Sequence, residues 1–231
     1  MGWSNVQFLA SEESPLGMVY LRQRELLSQP GTVVLELLLD HALLMSSCST
    51  HSERALACQA IAMHAGKELH VLIGGLGLGY TAREALASSD VAVVEVIELL
   101  PQLIGWFESG IIPLGSELRA DPRFSLRQGD VYAQLGGPPA RRYDLILIDV
   151  DHAPEERLGD GNDAFYTEEA LRKAREHLAP QGILGVWSYA ESKGFAQLLG
   201  RVFGEVRIER VTFPNPVVEE EETNWLFLAR R

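Results

Sequence analysis

From Leu69 onward, short apolar and β-branched runs alternate with amphipathic stretches. This alternation predicts strands joined by crossover helices, and therefore an α/β protein with a mostly parallel sheet. The predicted strands are His70–Ile73, Val91–Val96, Phe124–Arg127, Tyr143–Val150, Ile183–Trp187, Glu205–Phe213 and Trp225–Ala229. Helices are predicted over Thr81–Ser88, Leu99–Ser109, Phe165–Leu178 and Ser192–Phe203. Between the third helix and the next strand, Ala179-Pro180-Gln181-Gly182 reads as a helix stop and a turn. The last two strands are long and joined by a loop, so the sheet is expected to end in an antiparallel pair.

The first 66 residues follow a different pattern. Thr32–Leu39 and Ala42–Ser47 flank Asp40-His41 and fit a β-hairpin, although the Leu-rich composition also allows a helix. A helix is predicted over Ser52–His64, with Thr50 or Ser52 as its N-cap. The expected organisation is a small N-terminal β-hairpin and helix appendage over 1–66, followed by the main sheet domain over 67–231.

Composition narrows the function classes. The formal charge of −12 disfavours a nucleic-acid surface, which needs clustered Lys and Arg. The most apolar stretch, Val33–Met45, is interrupted by Glu36, Asp40 and His41 and is too short to span a bilayer. Met1–Ala10 has no signal-peptide pattern, and Cys48 and Cys58 read as free thiols, so a cytoplasmic location is expected. The histidines His41, His51, His64, His70 and His177 show no ligand spacing, and no metal is expected.

The strongest motif is Val71-Leu72-Ile73-Gly74-Gly75-Leu76-Gly77-Leu78-Gly79-Tyr80-Thr81, an apolar strand running through glycines into a helix. Glycines serve where a backbone turns tightly and a ligand must approach without a Cβ in the way. Glu95, at the end of the next strand, is the acid expected to accept from both ribose hydroxyls. Glu98 reads instead as a solvated helix start. The stretch Gly77-Leu-Gly79-Tyr-Thr-Ala82 also fits a dinucleotide pattern, which keeps a nicotinamide enzyme in competition. Two observations favour an adenosylmethionine-type ligand on a Rossmann-like methyltransferase sheet. The turn Gly75-x-Gly77-x-Gly79 has the spacing common in methyltransferases, and acids follow the third and fourth strands. Asp130 can accept from an adenine amino group, and Asp149 sits at the carboxyl edge where ligands of such sheets bind.

With the glycine loop, Glu95, Gly129-Asp130 and Asp149-Val-Asp151-His152-Ala-Pro154, the chain resembles the spermidine synthase-like (polyamine aminopropyltransferase-like) family. The resemblance runs from Gly31 to Ser188 and implies an N-terminal β appendage, a Rossmann core and a homodimer. True spermidine synthases look like G-G-G-D-G-G-T in the loop, and registering Thr81 with that Thr puts Leu78 where the Asp stands. They carry D-[ST]-[ST]-D-P after the fourth strand, whereas here Asp149 matches the first Asp and His152 stands at the second. The Tyr-Gln or Tyr-His pair is absent around Ser52–Arg54. A Leu cannot bind an ammonium, so the adenosyl end reads as kept and the polyamine end as rewritten.

The leading expectation is therefore an S-adenosylmethionine-dependent transferase that moves a methyl group to a small-molecule acceptor. Gly75, Gly77, Gly79, Glu95, Asp130 and Asp149 would bind the cofactor. Asp149, Asp151 and His152 would form the catalytic group, with His152 able to act as a base. Tyr166 and Trp187 are candidate acceptor-pocket aromatics. The alternative is an aminopropyltransferase of altered amine specificity using decarboxylated S-adenosylmethionine, and a further alternative is a non-catalytic adenosyl-binding scaffold.

Overall fold

The computed structural model describes residues 6–150, 153–154, 165–217 and 220–231. Four antiparallel strands open the chain: β1 (Val6–Ser14), β2 (Gly17–Glu25), β3 (Val33–Leu39) and β4 (Ala42–Ser46), paired in that order. The hairpin expected across Asp40-His41 forms between β3 and β4, while the β1–β2 hairpin was not anticipated. The two hairpin turns are tied together. Asp40, at φ 49, accepts from the Met18 N–H at 2.8 Å, and Gly17 at φ 127 leaves room for that carboxylate. This tie holds Leu16, at the β1–β2 tip, beside the β3–β4 ribbon.

Helix α1 (His51–His64) follows, then β5 (Leu69–Gly74), α2 (Tyr80–Ala87), β6 (Val91–Glu98), α3 (Pro101–Glu108) and α4 (Leu114–Ala120). The chain continues through β7 (Phe124–Gln128), α5 (Val131–Gly136), β8 (Tyr143–Ile148) and α6 (Glu168–Glu176). It closes with β9 (Leu178–Ser188), α7 (Lys193–Val202), β10 (Glu205–Asn215) and β11 (Glu220–Arg230). The second sheet has seven strands in the order β10-β11-β9-β8-β5-β6-β7. β5, β6, β7, β8 and β9 are parallel, and β11 runs antiparallel to both β9 and β10. This is the α/β Rossmann-like arrangement expected, with its antiparallel C-terminal pair. The central strands are nearly continuous runs of Val, Ile and Leu because helices cover both of their faces.

The turn read at residues 179–182 lies inside β9. Tyr143 pairs with Leu178 and Leu145 with Ile183, so the intervening residues loop out of the ladder, with Gln181 at φ 68. Helix α1 rests on β8, β9, β11 and α2. Its buried stripe is Glu53, Leu56, Ala57, Ala60 and Met63, the 3.6-residue spacing of one helix face. Gly185 of β9 admits the Leu56 side chain, because a Cβ there would stand 3.1 Å from Leu56 Cδ1. One continuous core joins the two sheets, with Val19, Leu21 and Leu37 packed together with Leu56, Val71, Leu78 and Leu147. The cleft between the sheets opens at the carboxyl ends of β5, β6 and β8, where ligands of open α/β sheets bind.

Candidate active site

The glycine loop shapes the floor of this cleft. Gly75, at φ 94, comes so close to β8 that a Cβ would meet the Asp149 carbonyl oxygen at 2.3 Å. Its N–H donates to the Ile97 carbonyl at 2.9 Å, which ties the loop to β6 as well. Gly79, at φ 93, is the N-cap of α2. A positive φ at these positions suits glycine and strains other residues. Leu78 is 1% exposed and belongs to the core, so the loop position that carries an Asp in spermidine synthases holds a packed hydrocarbon. Above the loop, Met45 Sδ accepts from the Leu78 N–H at 3.3 Å.

Glu98 ends β6 and faces the cleft, only 6% exposed. Its two carboxylate oxygens accept from the Leu76 and Leu100 N–H groups, each at 2.8 Å. Burial pushes its pKa up, and the backbone donors at Leu100, Leu76 and Leu99 oppose that rise. A carboxylate has about four lone-pair sites, so two donors leave acceptor capacity for a vicinal diol. Glu95, the acid assigned to the ribose from the sequence, does not line the cleft. It lies inside the sheet opposite Leu72, where Arg127 Nε (2.7 Å) and the Tyr143 hydroxyl (3.0 Å) hold it. Three residues along a strand reverse the face, which is why the two acids of β6 have separate surroundings. The solvated reading of Glu98 is corrected in the same way.

Asp130 lines the cleft at the start of α5, where its Oδ1 caps the Tyr132 and Ala133 N–H groups at 2.8 and 3.2 Å. Asp149 follows β8 and accepts from the Thr81 hydroxyl at 2.7 Å. Burial raises its pKa to about 6 against that hydrogen bond. Across the cleft, α1 contributes a carboxylate that the sequence reading did not assign. Glu53 is 8% exposed and is pushed up to about 8, first by burial and then by the Asp149 charge. Its position is fixed by a relay in which Asn224 Nδ2 donates to Ser52 Oγ at 2.9 Å and Ser52 Oγ donates to Glu53 Oε2 at 3.0 Å. The sequence signal was present, since Glu53 falls on the buried stripe of its own helix. Two buried carboxyls that feel each other's charge hold a proton near neutral pH and are receptive to a cation.

Asp151 and His152 lie outside the described residues. Trp187 lines the cleft from β9, whereas Tyr166 packs with Tyr132, Phe165 and Phe195 behind it. The remaining wall is apolar: Leu16, Leu37, Leu44 and Met45 from the first sheet face Leu99, Leu100 and Leu103.

The chain matches curated polyamine aminopropyltransferases. It is 31% identical over 123 residues to polyamine aminopropyltransferase 2 of Streptomyces coelicolor, covering 52% of this chain and 22% of that protein. It is 27% identical over 190 residues to polyamine aminopropyltransferase 2 of Pseudomonas aeruginosa, covering 78% and 52%. A spermidine synthase solved in complex with the transition state analogue AdoDATO superposes with a TM-score of 0.74. That superposition covers 97% of this chain and 73% of the other, at 17% identity. The chain is spermidine synthase-like. The spermidine synthase of Thermotoga maritima superposes with a TM-score of 0.69 at the same identity, covering 97% and 72%. No protein-family model matches, and the chain spans about half the length, or less, of the curated relatives it matches. These relatives correct one expectation. They are aminopropyltransferases, so the ordering that put methyl transfer first is overturned in favour of its alternative. The glycine loop, which the two reactions share, could not separate them. Among the described residues, no helix is long and apolar enough to cross a membrane.

Proposed function

We propose that this chain transfers the aminopropyl group of decarboxylated S-adenosylmethionine to an amine other than the usual diamine. The observation that carries the reading is a single cleft with an adenosyl-type floor at one end and the Glu53–Asp149 pair at the other. The aminopropyltransferase relatives support the choice of donor. Gly75 and Gly77 give the nucleoside close access to the backbone, Gly79 lets the loop turn into α2 beneath Leu118, Glu98 accepts from the ribose hydroxyls, and Asp130 faces the adenine amino group. Positioning the two reactants supplies much of the rate of an in-line substitution.

The attacking nitrogen must be neutral. Its lone pair forms the new N–C bond while the C–S bond breaks, and the bonding pair goes to sulfur, leaving a neutral thioether. The surplus proton on nitrogen goes to Asp149, whose raised pKa of about 6 suits a group that takes a proton near neutral pH. Glu53, protonated in the empty cleft, gives up its proton as the ammonium of the aminopropyl chain binds beside it, and so takes the role lost at Leu78.

Titration calorimetry with decarboxylated S-adenosylmethionine, followed by methylthioadenosine release over a panel of amines, tests this. Binding of the donor and amine-dependent release are expected. A protein that binds the donor but releases no methylthioadenosine with any amine overturns the reading, as does one that binds no adenosyl compound.

A further inference from the structure

Resting on that reading, we infer that the acceptor is a primary amine carrying an apolar chain, with its nitrogen at Glu53–Asp149 and its chain along Leu16, Leu37, Leu44 and Leu103. Charge limits what the cleft can accept. Among the described residues, the carboxylates lining it are Glu53, Glu98, Asp130 and Asp149. Glu98 gives both oxygens to backbone N–H groups at the ribose end, and Asp130 caps α5 at the adenine end. Of these described carboxylates only the Glu53–Asp149 pair remains for cations, and it must already serve the donor's terminal ammonium and the attacking nitrogen. A diamine or polyamine brings at least one more ammonium. Beyond the pair that group meets leucines and the Met45 thioether, and a desolvated cation without a partner is strongly disfavoured.

The same wall favours hydrocarbon. Leu16 is held at its hairpin tip by the Asp40 tie, and Leu37 is 2% exposed, so the surface is preformed. Leu44 is only half-buried and stands at the cleft with apolar surface to cover. A preformed apolar wall rewards each methylene laid against it.

The test uses the full chain with decarboxylated S-adenosylmethionine and compares butylamine, hexylamine and octylamine with 1,4-diaminobutane and spermidine, reading the aminopropylated product by mass spectrometry. The expected result is a rise in kcat/KM of about fourfold per added methylene, with both polyamines below hexylamine. In calorimetry on the methylthioadenosine-loaded protein, hexylamine should bind and 1,4-diaminobutane should bind at least tenfold more weakly. Leu44→Gln, at a half-buried position that tolerates a polar side chain, should flatten the chain-length dependence while leaving the donor affinity unchanged. Preference for 1,4-diaminobutane or spermidine, or no dependence on chain length, overturns this inference while leaving aminopropyl transfer in place. Donor binding without product from any amine removes both.

Discussion

The two ends of the cleft are built by different means. At the end proposed for the adenosyl group, backbone geometry does most of the work. Gly75 and Gly79 take positive φ, a Cβ at Gly75 would meet the Asp149 carbonyl, and Glu98 and Asp130 are held by backbone N–H groups. At the acceptor end, side chains from four separated segments converge: Leu16, Leu37 and Leu44 from the first sheet, Glu53 from α1, Asp149 after β8 and Leu103 from α3. A backbone-built site tolerates little change, whereas a side-chain-built site can be rewritten one residue at a time without disturbing the sheet. That asymmetry fits the proposed division of the cleft, with a nucleoside on the backbone-built floor and an amine against the leucine wall.

The comparison breaks most sharply at Asp149, which touches both ends. Asp149→Asn removes the proton acceptor but preserves the side-chain volume and an oxygen for the Thr81 hydroxyl. The maximal rate of methylthioadenosine release should fall about a thousandfold, with donor affinity in calorimetry changed less than tenfold. A rate within tenfold of the parent would show that the proton leaves by another route.

Next in size is Glu98→Gln. An amide presents an N–H₂ to the Leu76 or Leu100 N–H and loses the charge-assisted acceptance of the ribose hydroxyls. Donor affinity should fall about 30- to 100-fold, with kcat at saturation nearly kept. Unchanged affinity would remove Glu98 from the nucleoside site.

Much of the fold was legible because each central strand is an apolar run bounded by turn residues, and every expected strand of the main sheet appears, although β9 and β11 each begin five residues before the expected start. The helix caps were less legible: Thr50 stands at the N-cap of α1 but its side chain makes no cap hydrogen bond, whereas Asp130, Thr167 and Ser192 each accept from N–H groups of the helix that follows. What the sequence could not display was register. Gly74 pairs with Ile97, so Glu98 comes level with Gly75 at the mouth of the cleft while Glu95, opposite Leu72, stays inside the sheet. A motif spacing does not contain that pairing. Nor could any local pattern bring Leu16, Leu37 and Leu44 to face Leu103, since they meet only through the docking of one sheet against the other. Glu53 was within reach, because an acid on the buried stripe of an amphipathic helix calls for a partner.

Glu53 gives the third prediction, a smaller effect read in stability. Its pKa in the folded chain is about 8, above its ordinary value of 4.5. A carboxyl raised in this way contributes stability that is present below pH 4.5 and is lost as pH rises through 8. The ligand-free protein should therefore lose thermal stability between those limits. Glu53→Gln, which stays neutral, should flatten that slope and be the more stable of the two at pH 8, read as a raised Tm. An identical pH slope in parent and variant would show that Glu53 is ionised throughout and that the pair holds no proton.

The smallest expected effect is the most telling about the strand. Glu95→Gln is the matched partner of Glu98→Gln, with the same chemical change three residues away on β6. Its carboxylate meets Arg127 and Arg141, whose side chains are 45% and 63% exposed, so solvent screens both pairs and their loss should cost less than about 1 kcal/mol. The Tyr143 hydroxyl at 3.0 Å can donate to the amide oxygen instead, which keeps that contact. Because the Glu95 side chain does not line the cleft, donor affinity should change less than about twofold, against the 30- to 100-fold loss expected at Glu98. Calorimetry of the two variants side by side therefore reads the strand face directly. If Glu95→Gln lost affinity and Glu98→Gln kept it, the register that brings Glu98 level with Gly75 would be wrong, and with it the adenosyl end of the cleft. If both lost affinity equally, charge acting through the sheet, and not contact with the ribose, would set donor binding.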